Sequence, residues 1–431
     1  VAVHLPPAFR HRDFSLYWTG AVLSQIGNQF TVVAMAWQIY DLTDSPLQIG
    51  LLGLGRALPQ IALALVGGVL ADAFDRRRLL MLTQLIQLAI GVALTVLTLA
   101  DAITPGILLA SAVLLSFGAA LENPPRQAIV PSLVPTADLS SAVALYTTQR
   151  SIGLIAGPSL AGIVLAVSGP GMCYLLDSVS WVVMLMALVL MRALPDRHRA
   201  VTMSMKSMLE GAKFVVRQPV IFPFMLLDFG ATFFGAPAAL FPILARDVFE
   251  VGEFGLGLMY AAPAAGAIAT GVVMSSMPQV KETGKWVILG VLFFGICLVF
   301  FAIVPFFWLS LLLLAGTGAG NAVSGVLRST ANQMLTPDHL RGRMSAINSA
   351  FVMGGPQLGQ FRSGAVADLW GAQAAGALGG LGAAACAIAV GMLPVIWRFR
   401  LGEEEPAVVE APAAAGTEAA RTGTGAPRVR R

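Results

Sequence analysis

Long apolar runs, broken by short polar or charged stretches, fill most of the chain. A helix that crosses a bilayer needs about 20 apolar residues. Twelve runs reach that length, at roughly 14–40, 46–71, 78–100, 104–130, 138–167, 172–191, 219–243, 254–277, 284–303, 305–328, 340–367 and 373–397. The ninth and tenth almost fuse, and Pro305 in Ala302-Ile303-Val304-Pro305-Phe306 marks the turn between them. The pattern predicts an all-α integral membrane protein with twelve transmembrane helices.

The longest break, 192–218, has a pattern of its own. From Met205 to Arg217 the apolar positions 205, 208, 209, 212 and 215/216 recur at helical spacing, with Lys206, Lys213 and Arg217 set against them. That is a basic amphipathic helix lying on a membrane face. It divides the chain into a cytoplasmic N-terminus (1–13), a six-helix bundle (14–191), the linker (192–218) and a second six-helix bundle (219–400). Residues 401–431 are mostly Ala, Pro, Gly, Glu and Arg, too few large apolar residues to bury a core, and predict a disordered cytoplasmic tail.

Composition agrees with this. Of 431 residues 57% are hydrophobic and 12% charged, about half the charged fraction of a soluble domain. Basic residues also orient the chain, because cytoplasmic loops retain Lys and Arg. With the N-terminus inside, the cytoplasmic ends and loops hold the basic clusters Arg10/Arg12, Arg76–Arg78, Arg192–Arg217, Lys281/Lys285, Arg341/Arg343 and Arg398/Arg400. The external loops hold one basic residue, Arg246, among Asp41, Asp44, Asp101 and Asp247. The expectation is a multi-pass protein of the inner (plasma) membrane with both termini cytoplasmic. The apolar segment after Asp13 is too long for a signal-peptide core and is expected to be a retained first span. Net charge is only +4, with no single basic face for nucleic acid. Cys173, Cys297 and Cys386 all fall in apolar runs and read as small core residues.

The two halves echo each other. Arg126 leads into Pro135-Thr136-Ala137-Asp138-Leu139 and then Gly157-Pro158; Arg328 leads into Pro337-Asp338-His339-Leu340 and then Gly355-Pro356. Parallel repeats of this size belong to two-bundle transporters. Within the spans, Gln25, Asn28 and Gln29 form one polar stripe and Tyr146, Gln149 and Arg150 another, both candidates to line a substrate cavity. Arg56, Asp228 and Arg362 also lie in or near spans. Asp228 is a candidate proton carrier, and a buried pair with an arginine is the rival reading. Glu122 and Arg126 have the spacing of a helical ion pair, although Pro124-Pro125 makes the helix between them irregular. Asp177 reads as structural, at the opening of the sixth span.

Gly67-Gly68-Val69-Leu70-Ala71-Asp72-Ala73-Phe74-Asp75-Arg76-Arg77-Arg78 resembles the G-x-L-A-D-R-x-G-R-R loop between helices 2 and 3 of the major facilitator superfamily. The resemblance implies a conformational latch made by Gly68, Asp72, Arg76 and Arg77; the rival reading is a charged topogenic loop. Gly153-Leu154-Ile155-Ala156-Gly157-Pro158-Ser159-Leu160-Ala161-Gly162 resembles the superfamily's helix-5 antiporter motif, carried here by Gly153, Gly157, Pro158 and Gly162; tight helix packing accounts for the same residues. Arg126 resembles the basic residue of the helix-4 motif, which implies a part in proton transfer; a structural ion pair is the alternative, and Glu122 and Asp228 are the carboxylate candidates for proton coupling. Ala73 and Asp75 depart from the usual loop. Asp75, Tyr260-Ala261-Ala262-Pro263-Ala264-Ala265-Gly266-Ala267 and Pro337-Asp338-His339-Leu340-Arg341-Gly342-Arg343 resemble the branch that contains enterobactin exporters and macrolide-efflux proteins.

The resemblance covers residues 10–400. It implies a proton-driven secondary transporter that exports an amphipathic small molecule, a siderophore or drug, by alternating access. No phosphate loop is present, so ATP is not expected as fuel, and no catalytic constellation points to an enzyme. No cofactor or metal is expected, the proton gradient being the energy source. The expected partners are the substrate and the bilayer, with the protein a monomer. A non-transporting membrane sensor or scaffold, and a small-solute uptake carrier of the same fold, stay open.

Overall fold

The computed structural model describes residues 6–73, 75–192, 213–277, 280–337 and 340–401. Among these, the side chains of 64–73, 76, 124, 127–128, 150, 341–343, 345–346 and 350 are not described. Most of the amphipathic linker helix and of the tail therefore lies outside the described residues.

Among the described residues the structure is helical and without strands. The first four long helices are α1 (Arg12–Thr43), α2 (Pro46–Ala73), α3 (Arg76–Leu99) and α4 (Pro105–Ile129). Leu139–Leu190 is a single helical run broken at Gly169, whose φ of 74° and ψ of 179° turn the chain sharply before Pro170. Its limbs are α5 (139–168) and α6 (170–190). The second half continues with α7 (Ile221–Val248), α8 (Gly252–Ser276), α9 (Thr283–Ile303), α10 (Phe307–Leu335), α11 (Arg341–Trp370) and α12 (Ala372–Gly391). These make twelve membrane-crossing helices. Eight described stretches are long and apolar enough to span a membrane on composition alone, and one of them carries both α5 and α6.

Local chemistry sets the ends. The Thr104 hydroxyl accepts from Ile107 N at 3.4 Å at the start of α4, and Asp75 caps α3 by accepting from Arg78 N at 2.8 Å. The helix passes through Pro124-Pro125 without interruption to Ile129, so the irregularity expected there is absent. The seventh span is the reverse case. Its regular helix ends at Phe234, and Pro237 and Pro242 then force short turns and a π-helical stretch, Leu244–Val248. The twelfth span stops at Gly391, and Pro394 opens a separate turn, Pro394–Trp397.

The packing repeats. In the first half α1 packs on the α5/α6 run, α2 on α4, and α3 on α4; in the second α7 packs on α11 and α12, α8 on α10, and α9 on α10. Across the halves α2 meets α11 and α5 meets α8, which is one pairing exchanged by the repeat. The face that carries the start of α1 and the end of α12 is called here the terminal face, and the opposite one the distal face.

The apolar core shows how the halves meet. One continuous cluster, including Met35, Ile39, Leu52, Leu165, Leu244, Leu256, Phe301 and Ala367, joins both halves toward the distal face. Toward the terminal face the core divides. Phe14, Tyr17, Leu80, Ile129 and Met184 belong to the first half alone, and Phe224, Val287, Leu327 and Ala387 to the second. Among the described residues the apolar core is continuous across the halves distally and falls into separate clusters toward the terminal face.

Candidate transport site

Glycine permits the distal closure. A Cβ on Gly257 of α8 would lie 2.8 Å from Gly162 Cα of α5, and one on Gly364 of α11 would lie 2.7 Å from Gly50 Cα of α2. The helices therefore touch backbone to backbone, as small-residue seams allow. The other glycines of the helix-5 motif act within the first half. A Cβ on Gly157 would meet Gln29 Cγ at 2.6 Å, and one on Gly153 would overlap Gln25. Gln25 and Gln29 thus lie along the α1–α5 seam, while Asn28 is exposed. Gln149 does not line an open cavity. It is 2% exposed, because it shares with Gly153 the face of α5 that packs on α1. Tyr146 is partly buried, and the side chain of Arg150 lies outside the described residues.

Charged clasps cover the distal seam. Arg246, in the π-helical end of α7, holds Asp44 at 2.8 Å and stands 3.7 Å from Asp41, both from the end of α1. The Tyr40 hydroxyl donates to Asp247, and the Arg246 guanidinium lies 5.3 Å from the Tyr40 ring centre. Asp368 of α11 accepts from the Ser45 hydroxyl at 3.2 Å and from Leu47 N at 3.4 Å. Arg246, the basic residue expected in an external loop, is thus the hub of an inter-half lock. Charge counting recorded its sign and side, not this contact across about 200 residues of sequence.

Each half holds a buried arginine–carboxylate pair, and the two arginines stand on equivalent helices, α4 and α10. In the first half Glu122 binds Arg126 one turn away on α4. Gln84 and Gln87 of α3 also donate to Glu122, the latter at 3.1 Å, so both carboxylate oxygens are occupied. Arg126 reaches Ser24 of α1 at 3.4 Å. In the second half Arg328 of α10 reaches α7 in the same sense and binds Asp228 through Oδ1. Among the described residues Asp228 Oδ2 has no hydrogen-bond donor, and the side chain is 13% exposed. Asp228 thus stands in an ion pair with one oxygen open.

Asp177 sits seven residues inside α6 rather than at its opening, and is fully buried. Thr31 of α1 donates to it at 2.5 Å and Ser180 at 3.3 Å. Arg362 of α11 donates to Phe234 O at 2.7 Å and Ser363 Oγ at 2.9 Å. Of the loop motif, Gly68 and Asp72 lie in α2 and Arg76 opens α3; the side chains of Asp72 and Arg76 lie outside the described residues. Arg77 donates to Leu188 O at 2.8 Å and Val189 O at 3.0 Å, capping the end of α6 within its own half. Among the described residues no cluster could hold a metal ion.

Known proteins are similar to this chain in sequence or in fold. Enterobactin exporters of Shigella boydii serotype 18 and Escherichia coli O81 are each 28% identical over 357 residues, which is 82% of this chain and 83% of the relative. In fold, the chain resembles a bacterial homologue of the lysosomal transporter Spinster in its inward-facing, occupied conformation (TM-score 0.72, 15% identity, 93% of this chain and 99% of that one). It also resembles the nucleoside transporter NupG (TM-score 0.70, 14% identity, 90% and 99%). The family model for transmembrane secretion effectors matches residues 4–417. With its twelve helices, repeated halves and near-complete family match, the chain belongs to the transmembrane secretion effector family of the major facilitator superfamily.

Proposed function

We propose that this transporter is a proton-driven exporter of an amphipathic small molecule, siderophore or drug, working by alternating access. The observation that carries the reading is the core of the described residues: joined across the halves by glycine seams and ionic clasps at the distal face, and in separate clusters toward the terminal face. The excess of Lys and Arg at the terminal face supports its being cytoplasmic. The cleft then opens to the cytoplasm, where an exporter loads. The names of the enterobactin-exporting relatives support the direction and the siderophore class. A chemical reaction has no place in this reading.

Protons enter through Asp228. Its open oxygen can accept a proton when the Arg328 pair loosens, whereas both oxygens of Glu122 already hold donors. The Glu122–Arg126 pair holds α4 against α3 and α1. Asp72 and its arginines act as the latch of the cytoplasmic side when the molecule opens outward.

Inside-out membrane vesicles test this, with enterobactin and erythromycin as probes. With the vesicle interior acidified, at least one probe should accumulate, and nigericin should abolish the accumulation. Greater probe accumulation in intact expressing cells would identify an uptake carrier instead. Absence of flux and of counterflow for both would favour a sensor.

A further inference from the structure

Arg56 stands apart from the other intramembrane cations described. It lies ten residues into α2 from the distal end, about 15 Å along the helix. Arg126 and Arg328 hold carboxylates, and Arg362 is spent on a carbonyl and a hydroxyl. Among the described residues Arg56 forms no ion pair, and its only side-chain hydrogen bond runs from Nη2 to the Met35 sulfur at 3.7 Å. Thioether sulfur is a weak acceptor. Among the described residues the titratable groups within electrostatic reach of it are the phenols of Tyr174 and Tyr260, from opposite halves, and no carboxylate is among them. Both phenol protons are used elsewhere, Tyr174 donating to Gln38 Oε1 at 2.8 Å and Tyr260 to Ala238 O at 3.2 Å. The backbone is held in place, because Ser116 of α4 donates to Arg56 O at 2.6 Å. The side chain is partly exposed rather than sealed. A guanidinium at this depth is costly without a counter-anion, and its planar fork matches carboxylate and similar oxyanions.

We propose that Arg56 is the anion-binding residue of the cargo site, at the roof of the cleft. The phenols of Tyr174 and Tyr260 lie within electrostatic reach of it, and the cargo presents one anionic group on an aromatic frame. This rests on the exporter reading and narrows its cargo to anions. Because Tyr260 comes from the other half, an anion bound at Arg56 is enclosed only while the distal side is closed, and distal opening exposes it to release.

Three probes share one ring system and differ in charge: 1-naphthoate, 1-naphthylmethylammonium and neutral 1-naphthamide. Their binding to the full-length protein in nanodiscs is read by equilibrium dialysis, with empty nanodiscs subtracted. The wild type should bind naphthoate about tenfold or more tightly than the ammonium. Arg56→Gln should remove that preference and leave naphthamide unchanged, and Arg56→Lys should keep the preference but weaken naphthoate several-fold, as a point charge replaces a fork. A wild type that does not prefer the anion would overturn the proposal. So would unchanged naphthoate binding in a folded Arg56→Gln protein, or in Arg56→Lys if the first variant does not fold. The assay needs no transport. Anion binding lost in Arg56→Gln, in a protein with no proton-driven flux, removes the exporter reading and leaves the site. Flux intact with unchanged naphthoate binding does the reverse.

Discussion

At the residue scale, the carboxylates inside the membrane are distinguished by what their oxygens already hold. Glu122 is saturated by Arg126, Gln84 and Gln87. Glu122→Gln leaves Arg126 buried without its counter-charge, which costs about 3–5 kcal/mol; thermal unfolding in detergent should shift clearly downward, and an unchanged midpoint would refute the structural role. Asp228 has an open oxygen. Asp228→Asn should abolish acid-driven accumulation while downhill exchange of the same probe persists; proton-driven flux at the wild-type rate would exclude it as the coupler. Outside the membrane, Lys285 and then Arg400 hold the Glu282 carboxyl below its ordinary value of 4.5. The sign follows from that depression: the contribution is present above about pH 4.5 and is lost as pH falls through the lower folded value. The unfolding difference between wild type and Glu282→Gln should therefore be present at pH 7 and vanish in stronger acid; a difference that grows on acidification would be contrary. The sequence displays the Glu122–Arg126 spacing, since four residues make one helical turn. It cannot display Gln84 and Gln87 as partners, because a contact between helices depends on their rotation. The same limit made Gln149 read as a cavity residue when its face of α5 packs on α1.

At the element scale, α5 does two things with one motif. Gly153 and Gly157 admit the α1 glutamines, and Gly162 admits the backbone of α8. All three are packing contacts, two within the first half and one across the halves, on successive turns of one helix. Gly162→Leu pushes α8 away at the distal seam. The expected outcome is a folded protein that favours the distally open form, with transport reduced about tenfold or more, since a side chain forced into a closed contact costs about 1–3 kcal/mol. Transport at the wild-type rate, at equal surface expression, would show that α5 and α8 need not close there. The turn between the ninth and tenth spans was legible from Pro305. The break in α7 was not, because an apolar run containing Gly235, Pro237 and Pro242 has the same hydropathy whether it is straight or broken.

At the scale of the whole molecule, the sequence carries the fold through its twelve runs and its charge asymmetry. It does not carry the conformational state, which depends on which ends of the helices touch. Arg246 illustrates the gap. Its side of the membrane follows from counting charges, but its grip on Asp44 closes two halves that meet only in three dimensions. Rocking of these halves about the central cleft is the account's main claim, and the distal clasp between Ser45 and Asp368, 3.2 Å apart at their side-chain oxygens, offers a direct way to stop it. Ser45→Cys with Asp368→Cys places two thiols across that seam, within reach of a disulfide after small adjustment. Cys173, Cys297 and Cys386 are replaced by alanine so that no other thiol responds. The decisive measurement is acid-driven probe accumulation in inside-out vesicles bearing this variant, oxidised and then reduced. The account predicts that oxidation stops accumulation and dithiothreitol restores it; full accumulation with the distal disulfide formed would contradict alternating access through this seam.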